Sequence, residues 1–368
     1  MQAYTSAQQA LLEAPAITIT GGAELLSTDL MVTEDITDDV VSITTSRNNQ
    51  AKIHGTVRLA LTRELAWGVD LLRTRMTVSD GTTSATWYTG VWSLVTPQRA
   101  YDDDPTTWDA SGFDRLYLLD RQIGASYQGN AGTGVLAAVR SVITDAGLSG
   151  VLLDGSAESS TLPRDLVYPL SAQSPTTWLQ VINDLLGQVS YRGLYADPAT
   201  GVYRSEPYAN PSARPIEWTF SEGALTIQEQ GRTLTSDLWG IPNRWVFRQQ
   251  NRASGAAAPT EGDGIYTVNN TSTGPSSQTS RGLVWASVID YDAADQTSLV
   301  ALGDRRVAAD LRTSAAWKVG TGPLPIAGHD DVVTLVVAGG AHKVQAHSWS
   351  LPHDGSPMQW DFDEVIPS

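Results

Sequence analysis

The stretch SPTTWLQVINDLLGQVSYRGLYADPATGVYRSEPY, residues 174–208, decides the reading of this chain. Ser174 is a preferred N-cap, and Pro175 suits the first helical position, where its missing N–H costs nothing. Trp178, Leu179, Ile182, Leu185 and Leu186 then recur at helical spacing, and Gly187 is expected to end the run. Burying that stripe contributes roughly 10 kcal/mol as an upper bound. Tyr191–Tyr195 and Val202–Tyr208 are predicted as strands around the turn Asp197-Pro198-Ala199-Thr200-Gly201. The block is an amphipathic helix running into a β-hairpin, and nothing in it is catalytic.

Upstream, Thr133 is placed to cap a second helix carrying Val135, Leu136, Val139, Val142 and Ile143, closed by Gly147. Residues 123–214 therefore read as a compact α/β insert. The flanks are different. Residues 3–13 predict a short helix stopped by Pro15. From there to about residue 122 the pattern is β: Ile17 and Ile19 alternate with threonine, and Ile53, Val57, Leu59 and Leu61 mark another strand. Arg75–Ser79 and Thr82–Leu94 flank the hairpin signal Asp80-Gly81, and Phe113–Leu119 is expected to be a strand. After residue 215, Glu217–Phe220, Leu225–Gln230 and Asn243–Phe247 resume the β pattern. A long polar loop over 249–280, with a strand at Gly264–Val268, precedes a helix over Asp292–Arg312. In that helix Leu299, Leu302, Val307 and Leu311 point inward, with Asp292 and Asp295 at its start and Arg305, Arg306 and Arg312 at its end. Residues 332–338 and 341–351 form a hairpin across Gly339-Gly340, and Met358–Ile366 is the last strand.

The fold class expected is mainly β with an α+β insert: two small β-barrel domains, an α/β middle domain and a helical insertion in the second barrel. The domains expected are a first barrel at 1–122, the insert at 123–214, and a second barrel at 215–368 carrying the insertion at about 248–317. A length of 368 residues accommodates two or three cores.

Composition excludes several chemistries. Cysteine is absent, which removes disulfides, thiolate metal sites and cysteine nucleophiles. No apolar run is long enough to cross a bilayer, and the N-terminal MQAYTSAQQALLEAP lacks the pattern of a signal peptide, so a cytosolic origin is expected. Net charge is −16, with three lysines (Lys52, Lys318, Lys343) against 21 arginines, a bias that points to a GC-rich genome. No basic stripe is present, so sequence-specific nucleic-acid binding is not expected. Acidity that merely keeps the protein soluble explains the charge equally well.

Each reactive-looking cluster has a plainer account. Gly129-Asn-Ala-Gly132-Thr-Gly134 precedes a helix like a phosphate loop, but Val135 and Leu136 stand where Lys and Ser/Thr are required. Among His54, His329, His342, His347 and His353, four cluster near the C-terminus. His342 and His347 fall on opposite sides of one strand, and His329 with Asp330 and Asp331 fits a solvated loop. Asp102-Asp103-Asp104 lacks calcium-loop spacing. Asp361 and Asp363 share a strand face, as a glycosidase pair would, yet fit a charge-blunted edge. No Gly-x-Ser-x-Gly elbow is present. Twelve tryptophans are spread over every segment and read as core and interface anchors rather than a sugar-stacking platform. Catalytic, cofactor and metal residues are therefore expected to be none.

Three strings carry a family likeness: Phe113-Asp-Arg-Leu-Tyr-Leu-Leu-Asp120-Arg121, the block 174–208, and Trp349-Ser-Leu-Pro-His-Asp-Gly-Ser-Pro-Met-Gln-Trp360. Together they resemble the minor tail proteins of siphophages infecting GC-rich Gram-positive bacteria. Those are similar in turn to the baseplate hub of contractile-tailed phages and to the N-terminal part of tail-associated proteins. The resemblance implies two barrels per subunit and a homotrimer of pseudo-sixfold symmetry. That ring would adapt a sixfold tail tube and distal tail ring to a threefold tip. It implies as partners the distal tail protein, the tail tube, the tape-measure protein and other tip or fibre proteins. It implies a virion location at the tail tip, with assembly in the host cytoplasm, no enzymatic activity, no cofactor and no membrane insertion. Many such hubs continue into a fibre or hydrolase region; this sequence stops at Ser368, so receptor binding or wall digestion is expected of other proteins. DNA would pass through the ring. Three subunits would carry a formal −48, three times the −16 of one, and an acidic wall repels phosphates within a Debye length of roughly 8 Å. The rival reading is a carbohydrate-binding protein of the tail tip that recognises host cell-wall glycans.

Overall fold

A computed structural model describes residues 1–68, 70–99, 107–173, 175–221, 232–236, 239–250, 257–272, 274–291, 293, 295–312, 315–337 and 340–365. The chain opens with helix α1 (Ser6–Leu12), started by a capping box in which the Thr5 hydroxyl accepts from the Gln8 N–H and the Gln8 side chain accepts from the Thr5 N–H. Strands β1 (Thr18–Leu26), β2 (Val32–Asp35), β3 (Val40–Asn48), β4 (Gly55–Leu61), β5 (Leu71–Ser79), β6 (Ser84–Arg99) and β7 (Trp108–Asp114) follow. Their hydrogen-bonded order is β3-β4-β7-β6-β5-β1-β2, and β1 also lies against β3, so six of these strands curl into a barrel. Leu25, Ile43, Val57, Leu59, Leu72 and Trp92 fill it. The Asp80-Gly81 turn forms as its local chemistry requires. The Asp80 carboxylate accepts from the Thr82 and Thr83 N–H groups, and Gly81 takes φ +88°, which a side chain would resist.

The strand expected at Phe113–Leu119 ends at Asp114 and turns into a short helix α2 (Leu116–Leu119). The cause is tertiary. One Asp114 oxygen accepts from the Leu116 N–H at 3.1 Å and the other from the Gly55 N–H at 2.7 Å, while Arg115 is drawn inward to the Gly201 carbonyl at 2.8 Å.

The α/β insert holds β8 (Tyr127–Gly129), α3 (Val135–Asp145), β9 (Val151–Leu153), β10 (Leu166–Tyr168), α4 (Trp178–Gln188), β11 (Tyr195–Ala196) and β12 (Tyr203–Ser205). Helices α3 and α4 pack together through Val139, Val142, Ile182 and Leu185. Two helix boundaries depart from expectation. The cap of α3 is Gly134 rather than Thr133, and its first N–H is taken by the Ser160 carbonyl. The cap of α4 is Thr177, and Gly187 lies within the helix, which ends instead where Ser190 turns to φ +57°. Ser174 falls outside the described residues. The 197–201 turn is as anticipated: Asp197 Oδ1 accepts from the Ala199 and Thr200 N–H groups, and Gly201 takes φ +72°.

The remaining elements are β13 (Trp218–Phe220), β14 (Thr233–Thr235), β15 (Arg244–Gln249), β16 (Thr260–Glu261), β17 (Gly264–Asn269), α5 (Gln278–Arg281), β18 (Ala286–Tyr291), α6 (Gln296–Arg312), β19 (Ala316–Thr321), β20 (Val332–Val337), β21 (Gly340–Pro352) and β22 (Met358–Glu364). The order β14-β19-β22-β21-β20-β13 encloses a second core of Phe220, Val319, Leu335, Leu351, Trp360 and Phe362. That core also takes in Met76, Val78 and Trp87 from the far end of the β5–β6 hairpin, and Leu11 and Leu12 of α1. Strand β21 pairs with β3 from Ser348↔Asn48 to Pro352↔Thr44, so one 13-stranded sheet runs through both halves. The fold is therefore mainly β with an α+β insert.

The strand expected at Asn243–Phe247 forms, but in a separate sheet ordered β16-β17-β15-β18 rather than in the second barrel. Its alternation puts Trp245 and Phe247 against α6, which supplies Leu299 and Val307. The helix begins at Gln296, with the Asp295 carboxylate accepting from the Ser298 N–H. Asp292 and the strand expected at Leu225–Gln230 lie outside the described residues. Gly303 lets α6 approach closely: a Cβ there would stand 2.7 Å from Phe247 and 2.8 Å from Tyr266. Gly303→Ala is expected to cost about 1–3 kcal/mol of insertion stability by overpacking. Hydrogen exchange in 296–312 reads it; unchanged protection there contradicts it.

Candidate functional site

The densest polar chemistry lies where the two barrels and the α/β insert meet. Strand β3 delivers Arg47, 4% exposed, into this joint. Its guanidinium donates to the Ala196 carbonyl at 3.2 Å and approaches His329 Nδ1 at 3.5 Å. Four planar groups then stack in series. Arg192 lies 4.5 Å over Tyr195, Tyr195 stacks on His329 at 4.8 Å and 11°, and His329 meets His54 at 4.6 Å. The four come from three parts of the chain: His54 from the loop before β4, Arg192 and Tyr195 from the insert hairpin, and His329 from the loop before β20. Arg192 also pairs with Glu206 at 3.2 Å and with Asp330 at 3.9 Å.

Both histidines are held neutral. Burial, with Arg47 and Arg192 close by, pushes His54 down to about 3. Burial beside His54 and the same arginines holds His329 well below the ordinary histidine range. Asp114, 1% exposed, is pushed up to about 6 by burial, against the pull of Arg47 and of the two N–H groups it accepts from. Arg115, equally buried, donates from its two terminal nitrogens to carbonyls, Gly201 at 2.8 Å and Ser149 at 3.2 Å, with the Tyr203 ring at 4.5 Å, while its Nε finds no partner. A second polar thread links the barrels. Trp92 Nε1 donates to Thr74 at 2.9 Å, Thr74 meets Thr89 at 2.7 Å, and His353 Nε2 lies 3.2 Å from Thr89 and 3.3 Å from Thr45. Burial pushes His353 down to about 4. A network of neutral rings and paired charges fixes geometry. The two threonine hydroxyls that meet His353 are buried with it, at 0% and 2% exposure.

The clusters singled out in the sequence disperse. His342 pairs with Glu364 at 3.0 Å and His347 with Asp363 at 3.1 Å, so the two histidines go to successive, oppositely facing residues of β22. Asp331 accepts from the Gly328 N–H at 2.6 Å and holds the Met1 ammonium with Glu217, while Asp330 accepts from Asn49. Among the described residues no three His, Asp or Glu side chains are placed to hold a metal ion. In the glycine-rich loop, the Gly132 and Val135 N–H groups are consumed by the Leu162 and Ser160 carbonyls at 2.9 Å each. Asp361 accepts from Ser348 at 2.7 Å, and Asp363 faces His347, so both carboxylates serve β21–β22 packing. Asp102, Asp103 and Asp104 lie outside the described residues. Trp87, Trp92, Trp218, Trp245, Trp317, Trp349 and Trp360 are buried, whereas Trp239 and Trp285 are 67% and 45% exposed and face each other at 6.4 Å. The stacked joint was not legible in the sequence, because its members are distant in the chain and none forms a motif.

No protein-family model matches the chain, and no curated protein matches it by sequence. Solved structures do. The 43 kDa tail protein of prophage MuSo2 from Shewanella oneidensis superposes with a TM-score of 0.61 at 14% identity, over 94% of this chain and 98% of its own. The tail protein from Neisseria meningitidis MC58 gives 0.62 at 10% identity, over 94% and 97%. The prophage tail protein gp18 from Listeria monocytogenes gives 0.52 at 10% identity, over 93% and 94%. This mainly β fold with its α+β insert is thus shared with these prophage tail proteins.

Proposed function

We propose that this chain is a structural protein of a phage tail, a trimeric hub at its tip that adapts a sixfold tube to a threefold end. The observation that carries the reading is the pair of barrel cores in one subunit, joined by a continuous sheet and alike over nearly the whole length to prophage tail proteins. Two barrels per copy let three copies offer six similar faces. The modules are taken as 1–122, 123–214 and 215–368, with the insertion beginning at β15 rather than after it. The stacked joint supports the same role, since neutral buried rings and paired charges suit a fixed bracket better than a turnover site.

In this reading the ring surrounds the DNA exit channel. Its neighbours are the distal tail protein, the tail tube, the tape-measure protein and further tip proteins. The excess of 40 acidic over 24 basic residues would keep the wall from holding the passing phosphates. The mass ratio of this protein to its neighbours in purified tails tests the proposal. A copy number divisible by three is expected; any other number overturns it, as does a reconstruction with a lumen lined by arginine.

A further inference from the structure

Strand β6 turns its two faces to different neighbours. Trp92 and Leu94 pack into the first barrel, and the alternation of the strand sends Val91, Ser93 and Val95 the other way, toward the α/β insert. Val91 meets the insert closely: a Cβ at Gly201 would stand 2.9 Å from it. Farther along this face the modules part. They leave a cavity of about 270 Å³, with Leu71 and Val95 on the barrel side and Leu118 and Leu148 across from them. Leu71 is the β5 partner of Ser93 in the ladder, so the serine stands beside an apolar wall. Thr28, Gly68 and Tyr117 line the cavity and are exposed, which marks its open side.

Two polar side chains on the wall are incomplete. Ser93 is 8% exposed and Arg115 is 1% exposed, yet neither Ser93 Oγ nor Arg115 Nε has a hydrogen-bond partner. The rest of the guanidinium is occupied. Its terminal nitrogens donate to the Gly201 and Ser149 carbonyls, and its face lies against the Tyr203 ring. Arg115 also lacks a counter-charge. Burial lowers it from the ordinary arginine range, and the Tyr203 phenol is the one titratable group that opposes this. Asp70, half-buried beside Gly68, lines the same cavity and makes no ion pair with Arg115.

Buried cations are ordinarily paired and buried donors ordinarily bonded, because each loses its hydration on burial. A carboxylate on an aliphatic body meets both needs at once. Its oxygens accept from the Nε–H and the Oγ–H, and its charge balances the guanidinium. Its hydrocarbon displaces water from the leucine and valine walls. A phosphate would bring more charge and more acceptors than these two donors serve. The volume falls just under the roughly 300–1,000 Å³ of pockets for drug-sized ligands, so the body is short.

The geometry points to a binding site for a short aliphatic monocarboxylate, a small fatty acid, with its head at Arg115 and Ser93 and its tail along Leu71, Leu118 and Leu148. Every wall belongs to one copy, so the inference stands apart from the hub reading.

Octanoate is the probe, titrated calorimetrically into the full chain near neutral pH. Octanol keeps the tail without the charge, and acetate keeps the charge without the tail. Octanoate is expected to bind once per chain with a Kd below about 1 mM, and both controls at least about tenfold more weakly. No octanoate binding in that range, or octanol binding as tightly, overturns the site. Ser93→Ala removes a hydroxyl that bonds to nothing in the chain. The melting temperature of the free protein is therefore expected to hold, while octanoate affinity falls about threefold to tenfold. Leu148→Trp fills the cavity and is expected to abolish binding. Unchanged octanoate affinity in either variant overturns the assignment. An acetylated peptide ending in leucine that binds at least about tenfold more tightly than octanoate overturns the free acid as occupant.

Discussion

Asp114→Ala is expected to destabilise the chain by about 2–5 kcal/mol, since two buried N–H groups lose their acceptor at about 1–3 kcal/mol each. Two backbone donors, Gly55 and Leu116, would lose their acceptor in a position closed to water. Arg47, buried with Asp114 foremost among the opposing charges around it, would keep its charge with less to balance it. Burial already pushes Asp114 up to about 6, so the carboxylate is costly to keep ionised; its worth lies in the groups it satisfies. Asp114→Asn preserves shape and one acceptor but turns an N–H₂ toward the other donor, so about half the loss is expected. Because the residue anchors β4, β7 and α2 at once, the loss should appear as one cooperative shift of the urea midpoint. A change of under about 1 kcal/mol for alanine would remove Asp114 from the joint's essential members.

The second large effect is acid lability. His54 and His353 are held at about 3 and about 4 by burial, and His329 is held low in the same way. An unfolded histidine titrates near 6.5. Below that pH the unfolded chain binds protons that the folded chain refuses. Stability from these residues is complete above about pH 6.5 and falls as pH drops toward the folded values, by about 1.4 kcal/mol per unit for each histidine. Asp114 works in the opposite direction: raised to about 6, it takes up a proton more readily when folded and returns part of the loss between pH 6 and 4. His347, raised by the hydrogen bond it donates to Asp363, also favours the folded state on the acid side. The two histidines with values, less Asp114, give a net loss of about 3 kcal/mol between pH 6.5 and 4.5, to which His329 adds. Urea midpoints across that range check it. A flat profile, or one that His353→Gln does not flatten, contradicts the assignment.

Legibility in the sequence followed the range of the interactions. The Asp80-Gly81 hairpin, the 197–201 turn and the stripes of α3 and α4 were readable because their causes lie within a few residues. The Phe113–Leu119 segment was not. Its apolar residues allow a strand, but the helical turn depends on Gly55 and Gly201, far away in the chain. Arg244–Gln249 alternates as a strand must, and alternation does not name the sheet it joins; Gly303 against Phe247 and Tyr266 decides that. The same limit hid the joint. His329 looked like part of an acidic loop, and its real neighbours are Tyr195 and His54.

Strand β21 has a mechanical consequence. Over its 13 residues it bonds first to β20, then to β22, and finally to β3 of the other half. Tension directed along β21 loads these ladders in shear, where neighbouring bonds must yield together rather than unzip one by one. The halves of a subunit therefore have no hinge between them at this seam. In the proposed ring, any widening of the channel would then come from whole subunits tilting against their neighbours.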